Sequence, residues 1–364
     1  MKWESPGSHS RQAGRQRTIP ALLLTGFLGS GKTTLLNRLL RDPHMTDTAV
    51  VINEFGDVAI DHLLVESAIE NAVVLQSGCI CCTVRGDLVD TLLDLVAKRD
   101  RGLIPPFSRV VIETTGLADP SPILRSLITQ KAVADLFHMQ AVITTIDGVN
   151  GLRQIGEFEE ARRQVAMADL LILSKADLAG PAAASSLAQT LRPLNPSAEL
   201  LPVQNGNVTA ERLFAALPAK PTKAGNLSCW LKAEAFAAED DGLSAHGGEI
   251  SSFVITMDEA IDRDALNIWL ASIISLRGDD ILRMKGVINV AGEAGPVVVH
   301  AAGPLLHEPD ALDDWPEGDR RTQIVFIGRN LPQTGIHRSF LTMLRWKPNA
   351  ANHESAINET DRSS

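Results

Sequence analysis

Eight consecutive residues, Gly26-Phe27-Leu28-Gly29-Ser30-Gly31-Lys32-Thr33, satisfy the spacing G-x-x-x-x-G-K-[ST]. Gly26, Gly29 and Gly31 let the backbone curl until successive N–H groups face one concavity, and a helix opening there adds its N-terminal partial positive charge. That arrangement suits polyphosphate. Lys32 is expected to reach the β and γ phosphates, the Thr33 hydroxyl to take one Mg²⁺ position, and Ser30 and Thr34 to complete the nucleotide contacts. Glu113 ends another apolar run and is followed by Thr114-Thr115-Gly116. A carboxylate there is expected to hold the same Mg²⁺ through water, with Gly116 sensing the γ-phosphate. Lys32, Thr33, Glu113 and Gly116 form the expected catalytic set. Ser174-Lys175-Ala176-Asp177 stands where a guanine-reading loop belongs. Asp177 can accept from the guanine N1–H and N2–H, and adenine offers neither donor; the Lys175 stem can lie along the ring. GTP is the expected substrate. No Gln or Arg announces itself as water-positioner or finger, so intrinsic hydrolysis is expected to be slow.

Cys79, Cys81 and Cys82 carry a second chemistry. They are three of only four cysteines, which excludes a disulfide framework and points to metal or redox work in a reducing compartment. Cys79 and Cys81, two apart in an extended piece, project to one side, and a bend after Cys81 is expected to bring in Cys82. Three thiolates favour Zn²⁺ or Cu⁺, while Co²⁺ and Ni²⁺ can occupy similar sites. They leave a fourth position open, as a carrier requires. Glu54 and Asp57 in Asn53-Glu54-Phe55-Gly56-Asp57 are candidates for that position, with His62 a weaker one. A vicinal redox pair and a buried run of cysteines are the competing readings. Cys229, beside Trp230, is expected to pack.

Such groups need a scaffold that brings distant segments together. Short apolar runs at 19–25, 49–52, 73–75, 109–112, 141–146, 170–173 and 200–203 alternate with helical spacing at 33–40, 88–98, 121–129, 158–167, 182–191 and 210–217. The alternation predicts an α/β fold, a mainly parallel sheet covered by helices on both faces. A composition shift then marks a boundary: 218–226 is rich in Pro, Lys and Gly, 227–236 is strand-like, and 237–248 is acidic and Gly-rich. Strand patterns at 250–257 and 322–327 and a helical one at 263–275 predict a smaller α+β domain. The expected division is a disordered leader at 1–17, a P-loop GTPase domain at 18–222, a connection at 223–248, the α+β domain at 249–346 and a loose tail at 347–364.

Composition narrows the partners. With 364 residues of which 45% are apolar, the chain can build two cores. A formal charge of −10 speaks against a backbone-reading nucleic-acid binder. No run approaches the roughly 18 apolar residues of a membrane span. Neither nucleic acid nor membrane is an expected partner. The leader lacks the apolar stretch of a secretory signal, so the expected location is the cytoplasm.

In order along the chain, GFLGSGKTTLLNRLL, NEFGDVAIDHLLV, SGCICC, ETTGLADPSPIL and SKADL resemble the CobW-like metallochaperone GTPases, a branch of the P-loop GTPases. The likeness spans 19–217, and segments 281–286 and 324–329 look like the family's second domain. It implies GTP hydrolysis coupled to handing a metal from the CxCC cysteines to a client protein. Two departures stand out: Asp57 where many relatives have the longer Glu, and only His246 where many have a His-rich run. The resulting expectation is a GTP-dependent zinc chaperone whose partners are GTP, GDP and a client metalloprotein. The alternatives are a cobalt or nickel insertase in cobalamin or metalloenzyme maturation, and a GTP-controlled binding switch without metal.

Overall fold

The computed structural model describes residues 18–53, 65–69, 72–75, 80–83, 88–204, 207–217, 227–232, 250–303, 305–315 and 319–346. The first sheet has nine strands: β1 (Ile19–Gly26), β2 (Thr48–Asn53), β3 (Val65–Ile69), β4 (Ala72–Leu75), β5 (Ile80–Thr83), β6 (Arg109–Thr114), β7 (Phe137–Asp147), β8 (Leu170–Ser174) and β9 (Glu199–Pro202). Their order is β3-β4-β5-β2-β6-β1-β7-β8-β9. From β5 to β9 every pairing is parallel; β4 runs against both its neighbours.

Period-two alternation divides the core. On β1, Ala21 and Leu23 face one hydrophobic cluster while Leu22 and Leu24 face another; on β2, Ala49 and Val51 oppose Val50 and Ile52 in the same way. A sheet buried on both sides needs apolar residues at every position, which is why these strands read as continuous runs. Helices α1 (Lys32–Leu39), α2 (Leu88–Asp100), α3 (Ser121–Thr129), α4 (Lys131–Ala134), α5 (Gly151–Glu157), α6 (Glu159–Met167), α7 (Ala176–Leu194) and α8 (Ala210–Ala215) supply the cover. Leu35, Leu36 and Leu39 of α1 and Leu213 of α8 close one face; Leu92 and Leu95 of α2 and Leu124 and Leu127 of α3 close the other. This is the P-loop GTPase fold.

After the short helix α9 (Leu227–Leu231), a second sheet is built from β10 (Ile250–Met257), β11 (Ile281–Ile288), β12 (Val297–Ala302), β13 (Leu305–Leu306), β14 (Asp310–Ala311) and β15 (Thr322–Arg329), all antiparallel. Helices α10 (Arg263–Arg277) and α11 (Gln333–Leu344) cover one face, with Trp269 set edge-on to Phe340 at 4.8 Å and its indole N–H donating to Ser339 at 2.9 Å. Leu282, Val287, Val298, Val325 and Ile327 turn toward the nucleotide-binding part, joining Trp230, Leu231 and Met167 in one continuous cluster. An α+β unit with one solvent-remote face explains the pattern.

Four sequence expectations change. The strand-like piece at 227–236 begins as helix α9, whose buried Leu227, Trp230 and Leu231 have the i, i+3, i+4 spacing of a helix face. β7 starts at Phe137, because its first turn of residues pairs with 19–21 although it is half exposed. β3 carries no apolar alternation strong enough to announce it. β5 continues unbroken through Cys82, pairing Val50 with Cys81 and Val51 with Cys82, so the bend expected after Cys81 is absent. No helix among the described residues is long and apolar enough to cross a membrane.

Candidate nucleotide site

The loop joining β1 to α1 lies at the carboxyl ends of the parallel strands. Gly26 sits at φ +144°, and a Cβ there would come within 2.4 Å of the Thr145 carbonyl oxygen, so only glycine lets the loop pass β7. Lys32 is buried, and its ammonium donates to the carbonyls of Gly26 at 2.9 Å and Phe27 at 3.3 Å, across the mouth of the loop. The Thr33 hydroxyl donates to Glu113 Oε1 at 3.0 Å, and Glu113 is itself buried at the end of β6. Short strand-end hydroxyls lock the frame: Ser30 Oγ and Thr145 Oγ1 are 2.7 Å apart, and Thr114 Oγ1 donates to Thr25 Oγ1 at 2.8 Å. These bonds hold the loop open-handed without using its backbone donors.

The segment that follows β8 clamps the same loop from the other side. Ser174 Oγ donates to the Ser30 carbonyl at 2.6 Å and to that of Ile146 at 3.1 Å. Lys175, in the left-handed region at φ +53°, donates to the Gly29 carbonyl at 2.9 Å and to Asp147 Oδ2 at 2.7 Å. Asp177 is exposed in the first turn of α7, and Thr34 is exposed in the first turn of α1. Gly116 completes the cluster: a Cβ on it would lie 2.8 Å from the Leu28 backbone, so the loop after β6 rests directly on the phosphate loop.

The fold therefore brings Gly26, Gly29, Ser30, Gly31, Lys32, Thr33, Glu113, Gly116, Ser174 and Lys175 to one end of the sheet. Cys79, Glu54, Asp57 and His62 lie outside the described residues. Cys81 and Cys82 are placed by their backbone alone, on β5 beside β2.

Two residues that sequence reasoning passed over belong to this frame. Asp147, almost wholly buried at the end of β7, accepts from Lys175, from the Val149 and Asn150 N–H groups at 2.8 and 3.0 Å, and from Asn150 Nδ2 at 3.1 Å. Burial pushes its pKa up, but Lys175 and the Asn150 and Val149 donors outweigh it and hold the carboxyl below the usual Asp value. A carboxylate closing a predicted strand in this fold was the available signal. A group with a depressed native pKa contributes stability above its unfolded pKa and loses it as pH falls through the native one. Asp147→Asn should thus cost about 1.5–3 kcal/mol at pH 7, the range for hydrogen bonds to a charged group. Urea unfolding of both proteins should show the gap closing below pH 4, roughly the unperturbed Asp value.

Gln164 of α6 is the other. Its Nε2 donates to the carbonyls of Gly116 at 3.2 Å and Ala118 at 3.0 Å, pinning the loop that follows Glu113. Next to it, Asp119 accepts from Ser121 N and Oγ at 2.8 and 2.6 Å and from Arg163 at 2.9 Å. Burial would raise the Asp119 pKa; Ser121 and Arg163 together hold it down. Arg163 also pairs with Glu159, which Arg329 of β15 approaches at 3.7 Å. Charge thus runs without a gap from the Gly116 loop to the second sheet.

Comparison with known proteins agrees with this geometry. Residues 20–202 match the profile described as CobW/HypB/UreG, nucleotide-binding domain, and 250–344 match the cobalamin synthesis protein cobW C-terminal domain. The zinc chaperone YjiA of Escherichia coli is 31% identical over 88% of this chain and 98% of its own length. The zinc-regulated GTPase metalloprotein activator 1 of Schizosaccharomyces pombe is 27% identical over 86% of this chain and 83% of its own. The crystal structure of zinc-bound YjiA GTPase superimposes with a TM-score of 0.69 over 90% of this chain and 99% of that one, at 30% identity. By sequence and by fold, this chain belongs to the CobW/HypB/UreG family.

Proposed function

We propose that this protein is a GTP-hydrolysing metallochaperone that takes zinc on Cys79 and Cys81, with Cys82 joining them only when β5 bends at Cys81, and delivers it to a client metalloprotein as GTP turns over. The observation that carries the reading is register. Thr83 of β5 pairs with Ile52 of β2, and Ile52 pairs with Glu113 of β6. The cysteine strand is therefore two strand spacings, about 10 Å, from the strand that ends in the nucleotide site. The names of the relatives support zinc and a metalloprotein client.

In this reading residues 18–222 hydrolyse GTP, 249–346 recognise the client, and 223–248 connect them. Backbone donors of 26–31 and the Lys32 ammonium take the phosphates. Ser174, Lys175 and Asp177 read guanine. Thr33 and Glu113 present a hydroxyl and a carboxylate 3.0 Å apart, two hard oxygen donors of the kind Mg²⁺ accepts. Mg²⁺ held there would neutralise charge on the transferring phosphate. Gly116, resting on Leu28, is positioned to move when the γ-phosphate leaves. Gln164 and the Asp119–Arg163–Glu159–Arg329 series then carry that movement to the second sheet, while β5 carries it to the thiols. The water oxygen bonds to the γ-phosphorus while the bond from that phosphorus to the β–γ bridging oxygen breaks; GDP leaves with the bridging oxygen, and the water's protons pass to inorganic phosphate and solvent.

Linkage makes the proposal testable, because nucleotide and metal must change each other's affinity by the same factor. Zinc titrations of the full chain with GDP and with a non-hydrolysable GTP analogue should differ by about 5- to 150-fold. Equal affinities would remove the cycle while leaving the GTPase. Cys81→Ser should abolish stoichiometric zinc; retention of it would move the metal elsewhere. Co²⁺ or Ni²⁺ displacing zinc at equal free concentration would favour the insertase reading.

A further inference from the structure

The seam between the two sheets holds a cavity of about 490 Å³ that lies apart from the nucleotide site. Two cations line it. Arg283 and Lys285 alternate along β11, so they share one face of the strand, and both are more than nine-tenths buried. Arg283 is partly committed: it pairs with Asp169 and donates to the Met167 carbonyl at 3.0 Å. Its Nε, however, is buried and has no hydrogen-bond partner among the described residues. Lys285 donates only to the Trp230 carbonyl, at 3.3 Å, and stands 5.1 Å over the Trp230 ring; no carboxylate lies within ion-pair distance of it among the described residues.

A buried donor without an acceptor is costly, and more so when it is charged. Arg283 Nε has none, and the Lys285 ammonium has one long bond for its three N–H groups, so this cavity wall calls for an acceptor that the described residues do not supply. Burial pushes the Lys285 ammonium down to about 7, with Arg283 and Lys232 adding to the effect and Asp169 opposing it. An arriving anion would reverse that penalty. The walls add shape: Trp230 presents an aromatic face, and His300, directly across the ladder from Lys285, stacks on His307 at 3.7 Å. Glu308 and Asp310 are exposed at the rim. Two rim carboxylates repel a phosphate dianion more strongly than a single negative charge.

We propose that this cavity binds a small planar monocarboxylate, its oxygens between Arg283 Nε and the Lys285 ammonium and its flat portion against Trp230. The site bridges both sheets and does not depend on the zinc or GTP assignments above.

Benzoate is the probe, titrated calorimetrically into the full chain with GDP and Mg²⁺ present so that the phosphate loop is not the receptor. Benzoate should bind at a single site, and Lys285→Met should weaken it by 10-fold or more. Methionine keeps the length and removes a buried charge, so its melting temperature should equal or exceed that of the native chain. Glu308→Gln with Asp310→Asn, on the exposed rim, should tighten benzoate by 2-fold or more. Unchanged affinity in Lys285→Met, or no benzoate heat from either the native or the rim variant, would overturn the proposal. Binding of inorganic phosphate in place of benzoate under the same conditions would overturn the carboxylate assignment.

Discussion

Lys32→Ala is expected to lower GTP turnover by about 10³-fold, the upper end of what one preorganised donor at a charge-developing centre contributes. Its ammonium is already aimed at the mouth of the phosphate loop, held by the Gly26 and Phe27 carbonyls. No large rearrangement is needed to bring it onto a phosphate, so little of its interaction energy goes into reorganisation. The loss should appear in kcat measured by phosphate release, with circular dichroism unchanged, because the loop's shape is set by Gly26 and by the Ser30–Thr145 and Ser174–Ser30 hydrogen bonds. Turnover within tenfold of the native chain would take Lys32 out of the reaction.

Asp169→Ala should produce the largest loss of stability, about 3–5 kcal/mol, the range for breaking a buried ion pair from one side. Asp169 precedes β8 and accepts from the Val142 N–H at 3.0 Å while pairing with Arg283 across the seam; the two side chains are only 10% and 8% exposed. Removing the carboxylate leaves a guanidinium in the interior with the Met167 carbonyl as its one acceptor among the described residues. Adding Arg283→Met should restore at least half of the loss, since a matched apolar replacement removes the stranded charge. Urea denaturation of the two variants reads both numbers. A cost under 1 kcal/mol for the single variant would mean that the apolar cluster alone joins the sheets.

Local pattern made much of the nucleotide end legible. The glycine spacing at 26–31, the carboxylate ending a strand at Glu113 and the Ser174 to Asp177 loop each sit within a few residues of the element that positions them. Chain connectivity alone therefore restricts where their side chains can go. The alternation of strands and helices gave the layer order for the same reason, since a run apolar at every position must be covered on both faces. The small errors follow from this logic. Helix α9 is too short for its period to dominate the ten-residue window 227–236, and β3 is specified by its partner β4 more than by its own residues.

Pairings between residues far apart in the chain were invisible. Lys175 with Asp147, Gln164 with Gly116, Arg163 with Asp119 and Arg283 with Asp169 depend on which helix lies over which strand end, and no local spacing encodes that. The same holds for the seam cavity, whose two cations look in the sequence like ordinary surface residues. By itself the sequence determined the phosphate loop and the class of fold, because both require particular residue types at short range. Tertiary structure decided which buried charges meet and which do not, because desolvation acts on whatever the packed layers enclose, regardless of its place along the chain.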